Sequence, residues 1–280
     1  MKHVISLIII LAIAATSSAQ LWEGDMLGIE GDLHGMVGVT YDTQYVWRGF
    51  YVYGNKSAVH LLADLTLFQT GFGVSVAGHR ANASGYENFE RWDYTLYYQN
   101  GLFAGEPYAT NYRIGYVYYN FPDNPPSSWD LQEMHLVLSW PNALPVKGLC
   151  PTYILVKMWP STSHSFVESW WPDENVSGFA HIFMLDYGFT IPGILPENPE
   201  QLIKLHSELV FNDGISPMGA NVDQDWSDVV FGVSTDFNLG YNLTLTPAVY
   251  HQITMEQDVR NINNGDKDVT WASLGLKYTF

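Results

Sequence analysis

The chain has 280 residues, nearly half of them hydrophobic and 15% aromatic, with 12 basic side chains against 29 acidic ones. A formal charge of −17 excludes nucleic acid and anionic headgroups as partners for the surface as a whole. The single cysteine, Cys150, excludes an internal disulfide framework, and no run beyond the first residues is long and apolar enough for a helical membrane span.

The chain opens Met1-Lys2-His3, continues with an apolar run from Val4 to Ala15, and reaches the small residues Ser17 and Ala19. This order predicts a secretory signal peptide over residues 1–19, cleaved after Ala19. The run is shorter than the ~20 residues that cross a bilayer, and no charged stop-transfer cluster follows it. Residues 20–34 are then an N-terminal periplasmic segment, and 35–280 a single all-β domain.

From residue 36 apolar and polar residues alternate almost to the end, the period that gives a strand two distinct faces. Val37, Val39, Tyr41, Tyr45 and Trp47 share one face, with Gly38, Thr40, Asp42, Gln44 and Arg48 on the other. Val59, Leu61, Ala63, Leu65 and Leu67 then oppose His60, Asp64 and Thr66, and Phe72, Val74 and Val76 oppose Gly73, Ser75 and His79. Next, Trp92, Tyr94, Leu96 and Tyr98 oppose Arg91, Asp93, Thr95 and Gln99. Tyr112, Ile114, Tyr116 and Tyr118 oppose Arg113, Gly115 and Tyr119. Met134, Leu136, Leu138 and Trp140 oppose Glu133, His135 and Ser139. Runs near 152–159 and 178–189 alternate poorly and give no orientation. The pattern returns with Ile203, Leu205, Leu209 and Phe211 against Lys204, His206 and Glu208. Val229, Phe231, Val233 and Phe237 oppose Gly232, Ser234 and Asp236, then Tyr241, Leu243, Leu245 and Val249 oppose Asn242, Thr244 and Thr246. The last run sets Ala272, Leu274, Leu276, Tyr278 and Phe280 against Ser273, Gly275, Lys277 and Thr279.

These are twelve candidate strands, an even number, as bacterial barrels require. Short joints such as Gln69-Thr70-Gly71 and Asn238-Leu239-Gly240 alternate with longer polar ones at 81–88, 121–128, 160–176, 212–226 and 252–268. The joints 100–109 and 190–201 are longer than the short-turn rule prefers. The pattern predicts a transmembrane antiparallel up-and-down β-barrel of about twelve strands. A soluble β-sandwich alternates too, but its edges are normally Lys-rich, whereas cations are scarce here and aromatics stand at the ends of the apolar faces.

Tyr45-Val46-Trp47-Arg48-Gly49-Phe50, preceded by Gly38-Val39-Thr40-Tyr41 and followed by Val59 to Leu67, resembles the opening hairpin of the TorF-type porin family of bacterial outer-membrane barrels. Thr70-Gly71-Phe72-Gly73 and Tyr112 to Pro122 are similar to its later strands. The resemblance is best over 36–125. Phe50 and the long loops 160–176 and 252–268 depart from the family's short-loop pattern. Leu274, Leu276, Tyr278 and Phe280 resemble the C-terminal signal read by barrel-assembly machinery. Together these imply a bacterial outer-membrane location, with outer-membrane lipid and lipopolysaccharide around the wall.

The polar faces carry Asp42, Arg48, His60, Asp64, His79, Arg91, Asp93, Glu133, His135, Lys204, His206, Glu208, Asp236 and Lys277. An Arg or Lys turned to the lipid midplane costs about 2–4 kcal/mol, which assigns this set to the lumen as candidate pore-lining residues. Arg48 either sets an anion-attracting constriction or pairs with Asp42 or Asp64. The sets Glu133/His135 and Lys204/His206/Glu208 have an i, i+2 spacing compatible with metal ligation, but lack further ligands and read as structural pairs. Acidic residues in or beside the outer loops, among them Asp123, Asp213, Asp225, Asp228 and Asp268, either hold calcium or magnesium or keep the loops solvated.

The resulting expectation is a channel for passive diffusion of small polar solutes, not an enzyme, with no cofactor. The alternatives are a structural or adhesion barrel with a blocked lumen, and an outer-membrane lipid hydrolase. For the last, His79-Arg80-Ala81-Asn82 is only loosely similar to the His-x-Ser-Asn-Gly element of outer-membrane phospholipases. Ala81 stands at the nucleophile position, with Ser84 nearby.

Overall fold

A computed structural model describes residues 33–124, 129–161, 177–194, 199–214, 224–255 and 268–280. The expected signal peptide, most of the 20–34 segment and most of the loops 160–176 and 252–268 lie outside the described residues.

Alternation without a buried partner sheet has one stable outcome in hydrocarbon, a sheet closed on itself. Twelve antiparallel wall strands do this in chain order. They are β1 (His34–Asp42), β2 (Ala58–Thr66), β3 (Phe72–Ala81), β4 (Arg91–Leu102), β5 (Thr110–Asn120), β6 (Leu131–Ser139), β7 (Leu149–Pro160), β8 (Gly178–Pro192) and β9 (Glu200–Asp213). After them come β10 (Asp225–Thr235, resuming as Phe237–Gly240), β11 (Leu243–Thr254) and β12 (Val269–Thr279). The seam joins β12 to β1, with Met36 opposite Thr279 and Asp42 opposite Ser273. Gly35 and Phe280 exchange both backbone hydrogen bonds, at 2.9 and 3.0 Å, so the terminal residue is zipped to the first strand. Among the described residues no wall edge is left unpaired.

The outward faces are those the alternation assigns to lipid. Val39, Tyr41, Phe72, Val74, Val76, Tyr94, Leu96, Ile114, Met134, Leu205, Phe231, Val233, Val249, Leu274 and Leu276 all lie exposed on the outer wall. So continuous an apolar belt is not a surface water tolerates. β7 and β8, which the sequence leaves unoriented, turn Phe183 and Leu185 outward and bury Val156, Met158, Ala180 and Ile182 inside. Both faces of these strands are apolar because the inner one packs against Trp47 and Trp129. Alternation therefore weakens where the lumen is filled.

Three expectations need correction. The joint expected at Asn238-Leu239-Gly240 is strand. The chain reverses instead at Tyr241-Asn242, whose φ angles of 51° and 62° make a two-residue turn with the hand that suits twisted strands. Asp228, expected in or beside an outer loop, is fully buried on β10. Tyr45 and Trp47, expected on the outward face of the first strand, leave the wall altogether.

Candidate functional site

β1 ends at Asp42, and the chain enters the lumen. Val46–Trp47 and Phe50–Tyr51 form a small antiparallel hairpin with Trp47 opposite Phe50. Arg48 (φ 50°) and Gly49 (φ 84°) are its two central residues. A tight hairpin turn of this kind requires positive φ at both positions, which glycine adopts freely and arginine at a cost of about 1–2 kcal/mol. The strain is offset by what the tip reaches.

Arg48 donates a close, charged hydrogen bond to Glu133 on β6. The Gly49 carbonyl accepts a hydrogen bond from Gln252 Nε2 on β11 at 3.1 Å. β6 and β11 stand five places apart in a ring of twelve, nearly opposite one another, so the hairpin spans the lumen. Its flank rests on β3 and β4. The Arg91 guanidinium lies 3.8 Å from the Trp47 ring centroid and donates to the Tyr45 hydroxyl at 2.8 Å. Trp47 also meets Tyr119 edge-on, with centroids 5.4 Å apart. Tyr53 donates to the carbonyls of His79 and Phe89 at 2.9 and 3.2 Å. Burial pushes the Tyr45 and Tyr53 hydroxyls above the ordinary phenol range, so both stay neutral.

Most wall side chains beneath and around the hairpin have polar partners, while Asp42 Oδ1 and His60 Nε2 are buried without a hydrogen bond. Arg91 binds Asp93 through Nε and Nη2 at 2.7 and 2.9 Å. Asp93 faces His79 Nε2 at 3.0 Å, His79 Nδ1 faces His60 Nδ1 at 2.8 Å, and His60 Nε2 lies 3.2 Å from Asp42. Glu133 additionally accepts from the Tyr119 hydroxyl at 2.6 Å and faces His135 at 3.1 Å. Asp64 accepts from the Tyr97 hydroxyl at 2.9 Å. On the far wall His206 faces Asp186 at 2.7 Å, with Glu208 at 3.9 Å. Lys204 donates to Asp236 at 2.5 Å, Thr246 donates to the same carboxylate at 2.6 Å, and Lys277 lies within electrostatic reach of it.

The structure thus gathers Asp42, Arg48, His60, His79, Arg91, Asp93, Glu133 and His135 around the hairpin, and sets Lys204, Asp236 and Lys277 apart. Arg48 pairs with neither Asp42 nor Asp64, as its sequence position suggests, but with Glu133, because the chain folds inward before Arg48 is reached. Glu133 and His206 have arginine, phenol and carboxylate partners. Among the described residues no group of three or more His, Cys, Asp and Glu side chains is placed to hold a metal ion.

Several residues of the site carry no motif. Tyr97, Tyr119, Asp186 and Gln252 become functional candidates only through register, and Asp186 lies in the unoriented run. Arg113 stacks on Tyr97 at 3.5 Å from the ring centroid, and no carboxylate pairs with it among the described residues. It lines a cavity of about 590 Å³ at the short-turn end of the lumen, with Thr66, Gln99, Asn111, Val137 and Ser139.

Among solved structures, the chain is similar to the NanC porin, with a TM-score of 0.54 over 88% of this chain and 100% of the porin, at 10% identity. The chain shares its closed antiparallel barrel fold with that structure. It is also similar to the KdgM porin in complex with disordered oligogalacturonate (TM-score 0.49, 12% identity, 88% and 99% of the two chains). A third similar structure is the COG4313 outer membrane channel from Pseudomonas putida F1 (TM-score 0.47, 11% identity, 92% and 100% of the two chains). No family model and no curated protein matches the sequence, so the TorF-type resemblance rests on its motifs alone.

Proposed function

We propose that this chain is a bacterial outer-membrane channel through which small polar solutes diffuse passively, with the 46–51 hairpin as its constriction. The observation that carries this reading is the span of the hairpin from Glu133 to Gln252 above a cavity of about 590 Å³. A barrel built only as a filled scaffold would close that space with side chains, as small barrels do. Beside Val137 it is lined by amides, hydroxyls and one arginine, groups that replace the hydration of a passing solute.

The apolar belt supports a membrane setting, and the expected leader and terminal Phe280 support export and insertion by barrel-assembly machinery into lipid and lipopolysaccharide. The lipid-hydrolase alternative loses its base. His79 points into the lumen with both ring nitrogens engaged, by His60 and by Asp93, while Ser84 lies in the 82–90 loop.

The test is solute flux. Purified protein folded into liposomes loaded with an impermeant polymer should give swelling in an isosmotic monosaccharide, and slower swelling as the solute grows. Folded barrel without swelling in any solute would overturn the proposal.

A further inference from the structure

We propose that Arg113 and the cavity it lines form a binding seat for the carboxylate of a small, hydroxyl-bearing acid. The seat rests on the channel reading only in taking that acid to be a solute in transit.

A guanidinium carries a fixed positive charge and several N–H donors, which a protein normally meets with acceptors of its own. The other lumen arginines among the described residues follow this rule: Arg48 binds Glu133, and Arg91 binds Asp93 through Nε and Nη2. Arg113 does not. It has no ion pair among the described residues, and its Nε is buried without a hydrogen bond. An arriving anion therefore has no internal carboxylate to displace.

The side chain is held on a rigid support. Tyr97, on the neighbouring strand β4, is 3% exposed, and its hydroxyl donates to Asp64 at 2.9 Å. The phenol reaches Asp64 by lying across Gly73 on β3, where a Cβ would stand 2.2 Å from Tyr97 Cζ. The Arg113 guanidinium carbon lies 3.5 Å from the centroid of that ring. Stacking fixes the plane of the fork, and donors fixed in advance lose less freedom on binding than mobile ones. With Nε buried, the two Nη groups are left to meet the cavity, and they form an edge that grips both oxygens of a carboxylate at once.

The surroundings select the class of ligand. The cavity of about 590 Å³ falls within the range of about 300–1,000 Å³ found for small-molecule sites. Beside Val137 its wall offers Thr66, Gln99, Asn111 and Ser139, neutral groups that hydrogen-bond hydroxyls and add no charge. Arg113 is the one charged residue among the described lining. A lone cation among neutral donors matches a monoanion. A phosphate dianion would keep half its charge unpaired, and an amine would be repelled.

Gluconate and glucitol share one polyol chain and differ only at the carbon that carries the carboxylate. The full-length protein, folded in detergent micelles with nitrogen-15-labelled arginine, gives an Arg113 Nε resonance identified by its loss in Arg113→Gln. Gluconate should shift that resonance saturably, and glucitol should leave it in place. Equilibrium dialysis with radiolabelled gluconate should show affinity at least about tenfold weaker in Arg113→Gln, the size of one charged hydrogen bond. Val137→Asp is the second variant. It stands opposite Arg113 in the β5–β6 register, supplies the missing carboxylate from within, and should abolish gluconate binding with Arg113 still present. Heat-modifiable migration confirms that each variant is a folded barrel. No saturable shift, an equal response to glucitol, or binding undiminished in either folded variant overturns the seat. Tighter binding of glucitol 6-phosphate than of gluconate overturns its assignment to carboxylates. Liposome swelling separates the two claims: gluconate bound at Arg113 without flux of any solute refutes the channel and leaves the seat standing, and flux without binding does the reverse.

Discussion

Replacing Arg48 with Met should unseat the hairpin tip. The two side chains of the Arg48–Glu133 pair are 15% and 4% exposed, so the pair is largely shielded from water and salt. Removing one partner of such a pair costs about 3–5 kcal/mol, most of it the penalty of leaving the other charge buried alone. Glu133 keeps the Tyr119 hydroxyl and His135, which puts the cost near the lower figure. About 3 kcal/mol corresponds to about a 100-fold shift from seated toward unseated hairpin. Glu133→Gln should act in the same direction, and the double variant should cost less than the two single ones summed, because neither charge is then stranded. Single-channel recording reads the equilibrium as the fraction of time spent in a wider conducting state. Arg48→Met with occupancy unchanged from the parent would refute the reasoning, since the tip would then be held by something other than its ion pair.

Other features of the wall predict measurable effects. Leu96→Arg places a cation on the lipid side of β4 and should destabilise the barrel by about 2–4 kcal/mol if it lies near the midplane, whereas Thr95→Arg, turned to the lumen, should cost less; folding titrations into vesicles compare them. Gly115→Ala puts a methyl into the His135 imidazole and should lower stability by about 1–3 kcal/mol, seen as a lower urea midpoint; an unchanged midpoint would mean that the ring moves freely. Deleting Phe280 removes both hydrogen bonds to Gly35 and should reduce the yield of heat-modifiable barrel in membrane fractions. A deletion variant assembling at parental yield would show that the terminal residue is dispensable.

The wall was legible because a charge in hydrocarbon is so costly that parity alone assigns faces. Asp64, Arg91, Glu133 and Lys204 could be turned inward from sequence, and the even strand number follows from closure. The hairpin was not legible as an inward fold. Tyr45 and Trp47 return to the parity of Val37 to Tyr41 after the polar Thr43, and parity cannot say whether a ring meets lipid or lumen. The available signal was local: Tyr45-Val46-Trp47 and Phe50-Tyr51-Val52 flank Arg48-Gly49, two strand-forming triplets about a two-residue turn. β7 and β8 defied orientation for the same reason, since Val156, Met158 and Ile182 are apolar in order to receive Trp47. Partners such as Arg48 and Glu133, 85 positions apart, meet only through the register of the closed sheet. Gln252 and Asp186 likewise have no sequence context that marks them.

The measurement that bears most directly on the account is conductance across planar bilayers, comparing the full chain with a variant in which residues 46–51 are replaced by a short glycine linker. A path through the lumen narrowed by the hairpin predicts discrete steps in both proteins, and steps several-fold larger in the variant. Two folded barrels that leave the bilayer silent would contradict it.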